Sequence, residues 1–134
     1  MGALIRDYRA SDLKQVKAIH EASGIDYKLP DLSSPLFLVT KVLEIDGIVR
    51  ACGGGYLQIE CYLWLDKSDW ADPEQKLMAV QALDRSVMHE AYLRGIDCAC
   101  LYLPPGMDRF GKRLEDLGFT RDREGWVTYS KRTK

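Results

Sequence analysis

The stretch DPEQKLMAVQAL, residues 72–83, decides how the rest of the chain is read. Asp72 is a capping residue type, Pro73 suits the first helical position, and Gln75 stands three residues after the cap, where its side chain can close a capping box. Leu77, Val80, Leu83, Val87 and Ala91 then recur at helical spacing. A helix is predicted from Pro73 to about Arg94, stopped by Gly95. At ~1.5 Å per residue it is ~33 Å long, enough to cross a small sheet. Its start exposes unpaired backbone N–H groups and the positive end of the dipole, which suits a phosphate. Phosphate-binding turns usually rely on glycine for close backbone approach, and this stretch contains none.

Reading outward toward the C-terminus, IDCACLYL (96–103) is a nearly all-apolar strand of the kind buried between helices. MDRFGKRLEDLG (107–118) is a second helix closing at Gly118, and FTRDREGWVTYSK (119–131) supplies strand, turn and strand. Toward the N-terminus, QIECYLWLD (58–66), GIVRACGGGYL (47–57) and LFLVTKVLEI (36–45) read as three strands of an antiparallel meander. Asp46-Gly47 between two of them is the strongest hairpin signal in the chain. IDYKLPDLSSP (25–35) is turn-rich and is the best candidate for a loop over a substrate site. Before it, SDLKQVKAIHEASG (11–24) reads as a helix capped by Ser11 and stopped by Gly24, and ALIRDY (3–8) as a short strand. The triplet Gly53–Gly55 lacks the strand-then-helix context of a nucleotide fingerprint and is read as structural: a bulge, a close packing site or a loop.

The order of elements is α/β (α+β): a central mixed sheet flanked by helices, in one domain spanning residues 1–134, with no internal repeat. With 46% hydrophobic and 29% charged residues the composition is that of an ordinary soluble domain. Lys+Arg 19 against Asp+Glu 20 leaves no broad basic footprint, which argues against a nucleic-acid partner. No apolar run has the length of a membrane span or of a signal peptide's core, so no membrane partner and a cytoplasmic location are expected. Cys52, Cys61, Cys98 and Cys100 fall in apolar strand-like runs and are read as reduced thiols. The Cys98-x-Cys100 spacing is neither the redox pattern nor half of a zinc site, and no metal is expected. His20 and His89 both sit in helices and form no obvious triad.

This succession resembles the GCN5-related N-acetyltransferase (GNAT) family across nearly the whole chain. IRDYRASDLKQVKAIHEASG looks like the family's first strand and helix, VLEIDGIVRACGGG like its hairpin, and RLEDLGF like its closing helix and turn. The resemblance implies acyl transfer from acetyl-CoA to an amine, with the cofactor in a cleft where the fourth and fifth strands splay apart and Leu63 and Leu65 of the fourth strand among the residues that bind it. It also implies that the pyrophosphate lies at the start of the long helix, on Lys76, Leu77, Ala79 and Val80. Two features depart from the family pattern. Ala79 and Gln81 stand where the family has small residues, mostly glycine, and Leu114 stands where many members carry the tyrosine that protonates the departing thiolate.

An amine must lose its proton before it attacks a thioester, and the fourth strand carries a carboxylate for that task. Period-two geometry puts Gln58, Glu60, Tyr62, Trp64 and Asp66 on one face, so Glu60 shares its face with two aromatic rings. Glu60 is the candidate base and Tyr62 the candidate acid, with Tyr92, Tyr102 and Tyr129 as alternatives for the acid. A solvent-facing carboxylate on a sheet edge is the other reading of Glu60. Two functions stay open: an N-acyltransferase acting on a small-molecule or peptide amine, and a GNAT-fold binding or structural protein without catalysis, of the kind tailed phages encode. A homodimer is open to either.

Overall fold

The computed structural model describes residues 2–122 and 125–133. It is a mixed α/β protein whose contacts group into two compact units, residues 1–59 with 95–99, and residues 60–94 with 100–134.

The first unit is built on three antiparallel strands in the order β1 (Ala3–Asp7), β2 (Phe37–Ile45) and β3 (Ile48–Tyr56). The β2–β3 turn needs two residues at positive φ, and Asp46 (φ 52°) with Gly47 (φ 81°) supplies them, as the Asp-Gly signal requires. Between β1 and β2 a 3-10 turn (Ala10–Asp12) leads into α1 (Leu13–Ser23), which ends at Gly24 with φ 67°. The expected cap was Ser11. The 3-10 turn puts Asp12 at that position instead, and its carboxylate makes no cap hydrogen bond to α1 but accepts the Arg9 backbone N–H at 2.8 Å and the fork of Arg6 at 2.8 Å on both oxygens. Arg6 also reaches Glu44 on β2, so one guanidinium joins β1, β2 and the entry to α1. Asp12 is 4% exposed, the one buried charged residue among the described residues, and it is fully partnered.

Val16 of α1 packs onto Val42 and Val49 to form the core of this unit, with Tyr8, Ile19, Leu29, Leu32 and Cys52 around it. The register slips between Leu43 and Glu44, so that Arg50 is the extra residue of a bulge in β3. The bulge leaves the Val49 N–H without a strand partner, and the Gln15 side chain of α1 accepts it at 2.9 Å. Of the glycine triplet, Gly54 is a close packing site, where a Cβ would lie 2.7 Å from the Val39 carbonyl oxygen, while a Cβ at Gly53 would meet nothing within 4 Å.

β4 (Ile59–Glu60) and β5 (Ala99–Cys100) form a second, two-stranded sheet. The Ile59 N–H donates to the Cys98 carbonyl and the Cys61 N–H to the Cys100 carbonyl, so residue numbers rise together along both strands and the pair is parallel. Both strands are much shorter than the stretches 58–66 and 96–103 expected from the apolar runs. The second unit holds α2 (Pro73–Leu93), unbroken at Ala79 and followed by Gly95 at φ 81°, and α3 (Asp108–Asp116), which closes at Gly118 with φ 95°. No strand is formed by the described residues of the expected 119–131 strand pair, whose turn residues 123 and 124 lie outside the described set.

Candidate active site on the fourth strand and the long helix

The start of α2 is closed by its own residues. The Asp72 carboxylate accepts the Gln75 N–H at 2.8 Å and the Gln75 amide oxygen accepts the Asp72 N–H at 3.2 Å, which is the reciprocal capping box expected from the sequence. Of the first helical N–H positions, Pro73 has none, Gln75 gives its proton to Asp72, and Lys76 gives its own to the Asp72 carbonyl. That leaves Glu74, whose side chain adds a second carboxylate to the first turn.

The segment before the helix folds against it. Ser68 donates its N–H to Asp66 at 2.8 Å, and the Trp70 indole N–H donates to the Asp66 carbonyl at 3.0 Å. Lys76 then reaches back, donating to the Ser68 carbonyl at 2.7 Å with its ammonium 5.7 Å from the centre of the Trp70 ring. A cation over an indole face is attracted by the ring quadrupole, so Trp70 and Ser68 hold Lys76 at this loop. Among the other residues expected to line a cofactor, Leu63, Leu77 and Val80 are half-buried, while Leu65 and Ala79 are exposed.

β4 ends at Glu60, so Tyr62 and Trp64 lie beyond the strand, in the segment that follows it. Tyr62 stacks on Trp64 with ring centroids 5.6 Å apart and planes 7° from parallel. Glu60 lies beside them. The neighbouring Glu60 carboxylate, with desolvation adding to it, pushes the Tyr62 pKa above its ordinary value. The two rings do not dehydrate Glu60: Glu60 is exposed, Tyr62 is 63% exposed and Trp64 85%.

The parallel ladder also places Cys100 opposite Glu60 and Tyr102 opposite Tyr62 on the same face. Tyr102 is pushed up by Cys100 first and by Glu60 and Asp122 more weakly. Cys100 was not singled out from the sequence, although alternation in IDCACLYL puts it on one face with Tyr102. Burial raises the Cys61 thiol pKa, and Cys100 and Asp84 add to the rise. All four cysteines are reduced, and no group of three or more His, Cys, Asp or Glu side chains among the described residues is placed to hold a metal. No helix among the described residues is long and apolar enough to cross a membrane.

In chemical terms the face offers a carboxylate able to take a proton, two phenols that keep theirs at neutral pH, and a flat aromatic surface beside them. No known family model matches the chain, and no curated protein matches it.

Proposed function

We propose that this chain is an acyl-CoA-dependent N-acyltransferase of GNAT-like fold, with Glu60 as the base that takes the proton of the amine and Tyr62 as the nearest proton donor. The observation that carries the reading is the Glu60 carboxylate beside Tyr62, at the end of a strand that runs parallel to β5 and in the stretch of chain that precedes the long helix. Acetyl-CoA, when bound, supplies the activated acyl group. Glu60 accepts a proton from the ammonium of the acceptor, and Tyr62, its pKa raised beside Glu60, keeps its own proton at neutral pH. An amine seated on the Tyr62–Trp64 rings excludes water from Glu60, which raises its basicity at the moment it is needed.

The fit of a pyrophosphate to the α2 start turns on what must move. Opening a capping box costs about 1 kcal/mol, small beside the ~8 kcal/mol of a micromolar ligand. Swinging Asp72 away frees the Gln75 N–H beside that of Glu74, and Lys76 has only an exposed carbonyl and one ring to leave. Peptide N–H groups, dipole and one cation then face the same anion.

The closed capping box and the tethered Lys76 favour a second reading, in which the same fold binds a partner and does no chemistry. Acetyl-CoA separates the two. At ~100 times its dissociation constant it stabilises an acyltransferase against unfolding by ~2.7 kcal/mol, an effect that Lys76→Ala and added salt both diminish. With turnover in hand, Glu60→Gln lowers the rate by ~10²-fold or more near neutral pH, since shape and polarity are kept and the base is lost. Millimolar acetyl-CoA that moves neither the melting curve nor the calorimetric heat at two temperatures leaves only the second reading.

A further inference from the structure

The first unit has a hollow of its own, about 400 Å³, lined by Pro30, Asp31, Ser34, Phe37, Tyr56 and Asp97. The turn-rich segment 25–35 forms one wall, and the ends of β2 and β3 form another. Its two carboxylates are each half-engaged. Asp31 Oδ1 accepts both the backbone N–H and the hydroxyl of Ser33, at 3.0 and 2.6 Å, and Asp97 Oδ1 accepts the Tyr56 hydroxyl at 2.5 Å. The second oxygen of each has no hydrogen bond or ion pair among the described residues.

The charge state follows from those bonds. The Ser33 donors hold the Asp31 carboxyl below its ordinary range, and the bond to Asp97 pushes Tyr56 up to about 12, so Tyr56 is neutral and Asp31 ionised across the physiological range. No lysine, arginine or histidine lines the hollow. Phe37 and Tyr56 meet edge to face at 5.1 Å and 74°, giving the acidic site an aromatic wall, and Pro30 adds an apolar edge.

An anion is repelled here, and a neutral apolar ligand strips water from carboxylates without compensating them. A hard divalent cation wants six or more oxygens around it and gains nothing from two rings. A cation with an aliphatic stem matches both halves: its head takes the open carboxylate oxygens and its stem and charge meet the ring faces.

We propose that this hollow binds a primary alkylammonium group, with the ammonium on Asp31 and Asp97 and the alkyl stem on Phe37, Tyr56 and Pro30. The site stands on the first unit alone and does not depend on acyl transfer.

The test is a titration of isotope-labelled protein with n-butylammonium chloride, followed by amide NMR, with butan-1-ol and sodium butyrate as matched controls. Shifts confined to residues 30–37, 56 and 97, and absent with both controls, are expected. Asp31→Asn and Asp97→Asn should each weaken binding by about tenfold, the loss of one charge-assisted partner. Asp97→Asn also removes the acceptor of the Tyr56 hydroxyl. Asp31→Asn leaves that bond in place, so its effect is read on an intact β3 end, verified by an unchanged spectrum elsewhere. The proposal is overturned by no response at tens of millimolar, by an equal response to butan-1-ol, by shifts spread over all acidic surface residues, or by Asp31→Asn binding as tightly as the wild type.

Discussion

Arg6 and Asp12 show how much organisation one residue pair can impose. The guanidinium forks onto both oxygens of a carboxylate that is 4% exposed, and it uses its remaining N–H capacity on Glu44. A bidentate, charge-assisted pair of this kind fixes orientation as well as energy. The hydrogen bonds from Arg6 hold the Asp12 carboxyl at about 2, against an ordinary value of 3.8, with the Arg9 N–H assisting and burial opposing. The unfolded chain therefore takes up this proton first as the pH falls. The stability due to Asp12 is fully present above about pH 4 and is lost progressively toward pH 2. Urea unfolding across that window should show the wild type losing stability, while Asp12→Asn, weaker at neutral pH, shows a flatter profile. Parallel profiles for the two proteins would refute the assignment. Asp12→Ala leaves a guanidinium short of its main partner, and a loss on the order of 3 kcal/mol is expected at neutral pH.

At the scale of elements, β3 and α2 can each be tested by one substitution. Gly54→Ala places a methyl group 2.7 Å from the Val39 carbonyl oxygen, a backbone atom that cannot rotate away. The strand pair must separate locally, and thermal or chemical unfolding should register a loss of about 2 kcal/mol. Gly53→Ala is the control, because a Cβ there meets nothing within 4 Å. Equal effects at both positions would mean that strand propensity, and not the close approach, is being measured. In α2 the Asp72–Gln75 box holds the first turn, and Asp72→Ala should lower stability by ~1 kcal/mol. The same substitution clears a carboxylate from the helix start, so it should tighten acetyl-CoA binding if the acyltransferase reading is right. A stability loss with no change in affinity would place the cofactor elsewhere.

For the molecule as a whole the governing quantities are charge and exposed apolar surface. The formal net charge is −1 at pH 7 and the isoelectric point of the sequence is about 6.1, so the chain passes through zero net charge near pH 6. Tyr62, Trp64, Tyr102, Trp126 and Tyr129 are all more than half exposed. Little net repulsion then opposes contact between aromatic surfaces of two copies. Sedimentation velocity should show self-association strongest near pH 6 and weaker at pH 8. A sedimentation coefficient independent of pH and concentration would exclude the homodimer.

Local chemistry was legible in the residues themselves. Asp46-Gly47 makes its hairpin because few other pairs tolerate two positive φ values, and Asp72-Pro73 with Gln75 makes its cap because the donors and acceptors lie within one turn of each other. The alternation of Glu60, Tyr62 and Trp64 was legible in the sequence, but the strand stops at Glu60 and the Tyr62–Trp64 stack forms in the segment after it. Contacts across the chain were decided only by tertiary structure. Arg6 captures Asp12 while a 3-10 turn moves the helix start past the expected Ser11 cap, Gln15 answers the N–H that a bulge in β3 leaves open, and Asp97 meets Tyr56 across 41 residues to give the first unit its acidic hollow. Whether Glu60 is wet or dry, and whether Lys76 points at a phosphate or at Trp70, also depends on what approaches through space. A sequence pattern sets which groups share a strand or a turn; desolvation and long-range hydrogen bonds are set by which segments fold together.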